Sequence, residues 1–169
     1  MSLKRAFWVV FALTVANYLA MLFWSLPRLA VNGMFPFDLR SAGYSGDEAR
    51  AYLSALGTDQ RAFYSGVQHK LDTLYPGLMA ASLVLAYHLL FPRRAAWGLG
   101  LVAVAAATFD WLENASVSAM LRVEPQALTD AMIATASGWT VWKSSTVPVA
   151  LGILIVGLVR RWWLKRRAA

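Results

Sequence analysis

The chain has 169 residues, of which 59% are hydrophobic and 15% charged, with no cysteine and a formal net charge of +7. Globular domains are about 45–50% apolar and about 25% charged, so this apolar excess is too large for one small soluble core. The absence of Cys excludes a disulfide-stapled domain and any thiolate metal or redox centre. Long uncharged runs separate the Lys and Arg, which excludes nucleic acid as a partner despite the basic balance.

What remains is an all-α integral membrane protein forming a single membrane domain over residues 1–169. A helix crossing about 30 Å of hydrocarbon needs roughly 20 apolar residues. Residues 6–26 are the first such run, preceded by Lys4 and Arg5 and stopped by Pro27 and Arg28. No small-x-small cleavage site follows it, so it reads as a retained anchor rather than a signal peptide. Residues 27–70 form an extracytoplasmic loop that starts irregularly around Gly33, Pro36 and Gly43. Asp47 then caps an amphipathic helix with Ala49, Tyr52, Leu53 and Leu56 on one face, ended by Gly57.

Thr58 caps a second helix that runs on into span two, residues 72–91. Its polar stripe is Arg61, Ser65, Gln68, Asp72 and Tyr75, and Pro76 is placed to kink it. Only Pro92, Arg93 and Arg94 separate span two from span three, residues 95–121, so these two are antiparallel neighbours. A short loop with Pro125 at a helix start leads to span four, residues 133–159. The expectation is an integral membrane four-helix bundle with a partly helical extracytoplasmic loop.

In this topology Lys4, Arg5, Arg93, Arg94, Arg160, Arg161, Lys165, Arg166 and Arg167 share one side, which holds no acidic residue. The positive-inside rule makes that side, and both termini, cytoplasmic. An Ala-, Leu- and Arg-rich composition with only four Lys points to a bacterial inner membrane. The net charge is thus an orientation signal, and the lipid bilayer is the first partner.

Charge within a span costs about 2.5–3.5 kcal/mol at the helix centre and defaults to a functional reading. Asp110 and Glu113 lie about 20 and 24 Å above Trp97, and Lys143 lies about 24 Å above Val159, so Glu113 and Lys143 share a level. Asp110, Glu113 and Asn114 point one way, above the small residues Ala103, Ala106 and Ala107. Asp72 and Tyr75 arrive at the same height from span two, and Asn17 is the strongly polar residue of span one. These seven residues, Asn17, Asp72, Tyr75, Asp110, Glu113, Asn114 and Lys143, are expected to line an outward-facing polar pocket. No cofactor and no metal are expected. His69 with Asp72 is the candidate metal pair, to which Asp110 and Glu113 could add two oxygens at the same spacing, and His88 lies too far along span two to join it. Ser144, Ser145 and Thr146 beside Lys143 read as helix-packing hydroxyls rather than nucleophiles.

The stretches Asp72-Thr73-Leu74-Tyr75-Pro76 and Asp110-Trp111-Leu112-Glu113-Asn114 resemble a group of small four-span bacterial membrane proteins with D-x-x-Y/F-P and D-x-x-E-N elements. The resemblance covers roughly residues 58–121. It implies that Asp72, Tyr75, Pro76, Asp110, Glu113 and Asn114 belong together and implies no particular activity. On these residues the pocket binds a small molecule, a lipid headgroup or a partner subunit, a homodimer included. The alternatives are a membrane enzyme on a lipid or isoprenoid substrate, with Asp110 or Glu113 as general acid or base, and a proton- or cation-coupled dimeric carrier. Against both stands a purely structural ion-pair network that fixes helix packing.

Overall fold

Four stretches of the chain are long and apolar enough to cross a membrane, and each folds as one helix in the computed structural model, which describes residues 1–167. The helices are α1 (Leu3–Leu29), α2 (Gly46–Ala55), α3 (Thr58–Leu90), α4 (Arg93–Leu121) and α5 (Asp130–Arg167). The all-α membrane bundle is therefore as the sequence predicts. The long helices overrun the spans because the apolar windows mark only the hydrocarbon: the 38 residues of α5 extend for about 57 Å at 1.5 Å per residue.

The α4 helix packs along both α3 and α5, and α3 also meets α5, whereas α1 lies along α3 and makes no comparable seam with α4 or α5. Ala96, Gly100, Ala103, Ala106 and Ala107 are buried on α4, and these small side chains let the neighbouring backbones close on it. They form an apolar core with Met79, Leu83, Tyr87 and Ala150 at the end of the bundle that carries both termini. Tyr87 ties α3 to α5 there by donating its hydroxyl to the Ala150 carbonyl at 2.6 Å.

Residues 30–57 fold back over the opposite end, where Phe37, Tyr44, Tyr52, Leu53 and Leu56 share a second core with Val117, Met120 and Ile133. Charged side chains fasten this cap. Arg50 pairs with Asp130 at 2.5 Å, and Arg61 donates to the Leu53 carbonyl at 2.8 Å. The α2 cap is Ser45 rather than Asp47: its hydroxyl accepts from the Glu48 amide while the Glu48 carboxylate accepts from the Ser45 amide. Gly43 has φ +84°, and a Cβ there would sit 2.7 Å from the Ser137 hydroxyl. That close approach lets the Tyr44 amide donate to Ser137 Oγ at 2.8 Å.

Two π turns, Met21–Ser25 in α1 and Tyr64–Gln68 in α3, lie side by side and are joined by the Ser25 hydroxyl donating to Gln68 Oε1 at 2.5 Å. A π turn carries one extra residue and so rotates the helix face. Tyr64, not Ser65, therefore continues the buried line through Gln68 and Asp72, and Ser65 is exposed with its hydroxyl on the Arg61 carbonyl. This corrects the stripe expected from an unbroken α-helix.

Candidate functional site

Between the two apolar cores lies a polar layer. Asp110 and Glu113, three residues apart on α4, face Thr140 and Lys143, three apart on α5. The Lys143 ammonium pairs with Glu113 Oε2 and stands 3.5 Å from Asp110 Oδ1. The other Glu113 oxygen accepts from the Thr140 hydroxyl at 2.5 Å. Glu113 is 0% exposed, Asp110 3% and Asp72 5%. The expected match in height between Glu113 and Lys143 is thus an ion pair.

The cap adds a fourth carboxylate. Pro36 leads into a short turn, Phe37–Leu39, that carries Asp38 to the vicinity of Asp72. Tyr64 donates to Asp38 Oδ2 at 2.9 Å. Tyr44 follows from the same segment and brings its phenol beside Thr140 and Glu113. Burial pushes that phenol above its ordinary value, and the Glu113 and Asp38 charges add to the shift. Arg40 lies over the rings of Phe37, Tyr44 and Tyr52 at 5.5, 6.0 and 5.1 Å and is held by the Phe35 carbonyl. Lys143 thus pairs with Asp110 and Glu113, while Asp38 and Asp72 act on it through their charge from beyond ion-pair distance, four carboxyl groups to one lysine and a formal charge of −3 before any proton or counter-ion is added.

Asp72 is held in place through its own backbone. Pro76 has no N–H to give the Asp72 carbonyl four residues earlier, and Asn114 Nδ2 donates to that carbonyl instead at 2.8 Å. The flanking carbonyls are also claimed, Leu71 by Asn17 Nδ2 at 2.9 Å and Thr73 by Trp111 Nε1 at 2.8 Å. The two sequence elements are thus one unit, in which the proline of the first frees the acceptor that the asparagine of the second satisfies. The α3 helix continues through Pro76, and its irregular turn lies earlier, at Tyr64–Gln68.

Of the seven expected site residues, Asp72, Asp110, Glu113 and Lys143 converge. Asn17 and Asn114 instead spend their amide donors on α3 carbonyls. Tyr75 packs against Tyr18 with ring centroids 5.7 Å apart and the rings tilted by 32°, and lines a cavity among α1, α3 and α5 beside the layer. The pocket expected to face outward is covered, with Phe37, Asp38 and Tyr44 of the cap over its outer end. His69 and Asp72 do not converge: His69 lines an open groove with Thr73, Trp111 and Arg122 while Asp72 is buried. Among the described residues no group of three His, Cys, Asp or Glu is arranged to hold a metal. Ser145 and Thr146 donate to the carbonyls of Val141 and Trp142 on their own helix and make no nucleophilic set.

Sequence reasoning missed Asp38, Tyr44, Tyr64 and Thr140. Thr140 carried a signal, lying three residues before Lys143 on the face that also buries Ile133 and Ala136. Asp38 and Tyr44 carried none, since an irregular segment has no period from which a facing side chain can be read. No family model, curated protein or solved structure matches the chain.

Proposed function

We propose that the chain is a multi-pass protein of a bacterial inner membrane, with both termini cytoplasmic, whose capped carboxylate layer binds the polar part of a small molecule or a lipid headgroup. The observation that carries this reading is the charge balance of the layer, four buried or half-buried carboxyls around one lysine. A packing network is complete with matched pairs, whereas an excess of acid in a dry site calls for protons or a cationic guest. A protonated amine or a quaternary ammonium headgroup has the complementary charge. The cap supplies the door: the turn bearing Asp38 meets the bundle through the Tyr64 hydroxyl and, at Tyr44, the Ser137 hydroxyl. Sorting of the charges supports the orientation, because the basic residues at the terminal end have no acidic companion there.

Acid–base catalysis on a lipid or isoprenoid is the second reading, favoured by the cavity that opens beside Tyr75, next to Asp110 and Lys143. The carrier reading is weakened by the terminal half of the bundle, where an apolar core fills the space between α3, α4 and α5 and the described residues include no buried ionisable group other than the Tyr87 phenol.

The test is mass spectrometry of molecules released from the purified full chain and from its Asp38→Asn and Asp72→Asn variants. The expected result is a cationic species at near one per chain, lost from the variants while their unfolding temperatures stay within a few degrees. Wild-type protein that releases nothing, with variants altered only in stability, would return the layer to a packing role. Cysteine labelling of Ser45→Cys and Arg94→Cys tests the orientation, with reagent reaching residue 45 from outside and residue 94 from inside.

A further inference from the structure

Since α1 docks on α3 and leaves α5 apart, a trough runs between α1 and α5 with α3 as its floor. It contains two cavities, of about 180 and 430 Å³, which share Phe7, Phe11, Ala86 and Leu154 in their walls and therefore adjoin end to end. From Lys4 to Tyr18 the trough follows fourteen residues of α1, about 21 Å. That is half of the roughly 40–45 Å bilayer with its headgroup regions, the depth of one leaflet.

The chemistry changes along this length. At the terminal end the wall carries Lys4 and Arg161, and no carboxylate lines either cavity. Neither cation has a salt-bridge partner among the described residues, whereas the adjacent Arg160 is occupied by the Leu90 carbonyl at 3.1 Å. Beyond the mouth the walls are aromatic and aliphatic. The polar atoms deeper in close on each other, as Thr14 and Ser82 share a hydrogen bond of 2.8 Å, and the trough stops at the packed rings of Tyr18 and Tyr75. It therefore presents two free cations at its mouth and a dry, chain-length wall behind them.

We infer that this trough holds one anionic glycerophospholipid, with its phosphate between Lys4 and Arg161 and one acyl chain laid along α3 between α1 and α5. A zwitterionic lipid meets the same walls, but its ammonium group faces two cations, so the site selects on headgroup charge. A docked helix from a second chain would cover the apolar wall yet leave Lys4 and Arg161 unmatched. The site uses none of the residues of the carboxylate layer, so it and the binding of a cationic guest there stand or fall separately.

Native mass spectrometry of the full chain, in micelles containing equal phosphatidylglycerol and phosphatidylcholine, tests this inference. The expected result is one retained lipid per chain with at least about tenfold preference for phosphatidylglycerol. The Lys4→Gln, Arg161→Gln double variant, which alters only exposed side chains, is expected to abolish the preference while Lys165→Gln keeps it. Ala86→Trp, which fills the floor, is expected to lose both lipids. Equal retention of the two lipids, a preference that survives the double variant, or a dimer whose interface Ala86→Trp disrupts would each overturn the proposal.

Discussion

Replacing Asn114 by Ala removes the donor to the Asp72 carbonyl, an acceptor that Pro76 has already deprived of its helical partner. A buried acceptor left bare costs about 1–3 kcal/mol, and interhelical side-chain hydrogen bonds in membranes average about 0.6 with a maximum near 1.7, so the expected loss is about 1–2 kcal/mol. The effect should depend on the proline. With Pro76→Ala the alanine amide can donate to Asp72 within the helix, and Asn114→Ala in that background should cost little more than its lost packing. Packing loss is common to both backgrounds and cancels in the double-mutant cycle, leaving a coupling of about 1 kcal/mol or more between residues 76 and 114. Reversible unfolding in mixed detergent micelles measures all four corners. Additivity within about 0.5 kcal/mol would show that the two residues act independently and that the pairing of the two sequence elements has another cause.

Lys143→Met leaves Asp110 and Glu113 buried without their cation and is expected to cost about 3–5 kcal/mol in the same assay. Adding Asp110→Asn and Glu113→Gln should restore most of that loss, and a neutral single variant would contradict a dry ion pair. Gly43→Ala forces alanine into the left-handed region, at about 1–2 kcal/mol, and against the Ser137 hydroxyl. Faster proteolysis within residues 37–45 at unchanged helix content is expected, and a wild-type cleavage rate would count against the strain. The Ser45 amide and hydroxyl hold the exposed Glu48 carboxyl below its ordinary value of 4.5. The α2 cap is therefore intact above that pH and frays as pH falls through the lower folded value. The Ser45 amide resonance should report this titration, and Glu48→Gln should flatten it. A pH-independent wild-type resonance would contradict the capping box.

The spans were legible because hydrocarbon penalises charge so heavily that absence of charge is itself a pattern. Lys143 and Glu113 were matched in height for the same reason, since a fixed rise per residue turns sequence position into depth. Three things left no comparable mark. A π turn has no compositional signature, so the Tyr64–Gln68 turn silently exchanged Ser65 for Tyr64 on the buried face. Backbone acceptors are invisible in a sequence, so Asn17 and Asn114 looked like pocket walls when their partners were carbonyls of α3. The Asp38 turn sits in a segment without periodicity, and only tertiary packing brings it over Asp72.

The ion pair that ties α4 to α5 also orders events at the ribosome. Asp110 and Glu113 precede Lys143 in the chain, so α4 is complete before α5. Until the last helix arrives, the nascent chain carries two acids in lipid with no base to meet them, a state that neither α1 nor α3 can relieve. Completion of translation is thus coupled to neutralisation.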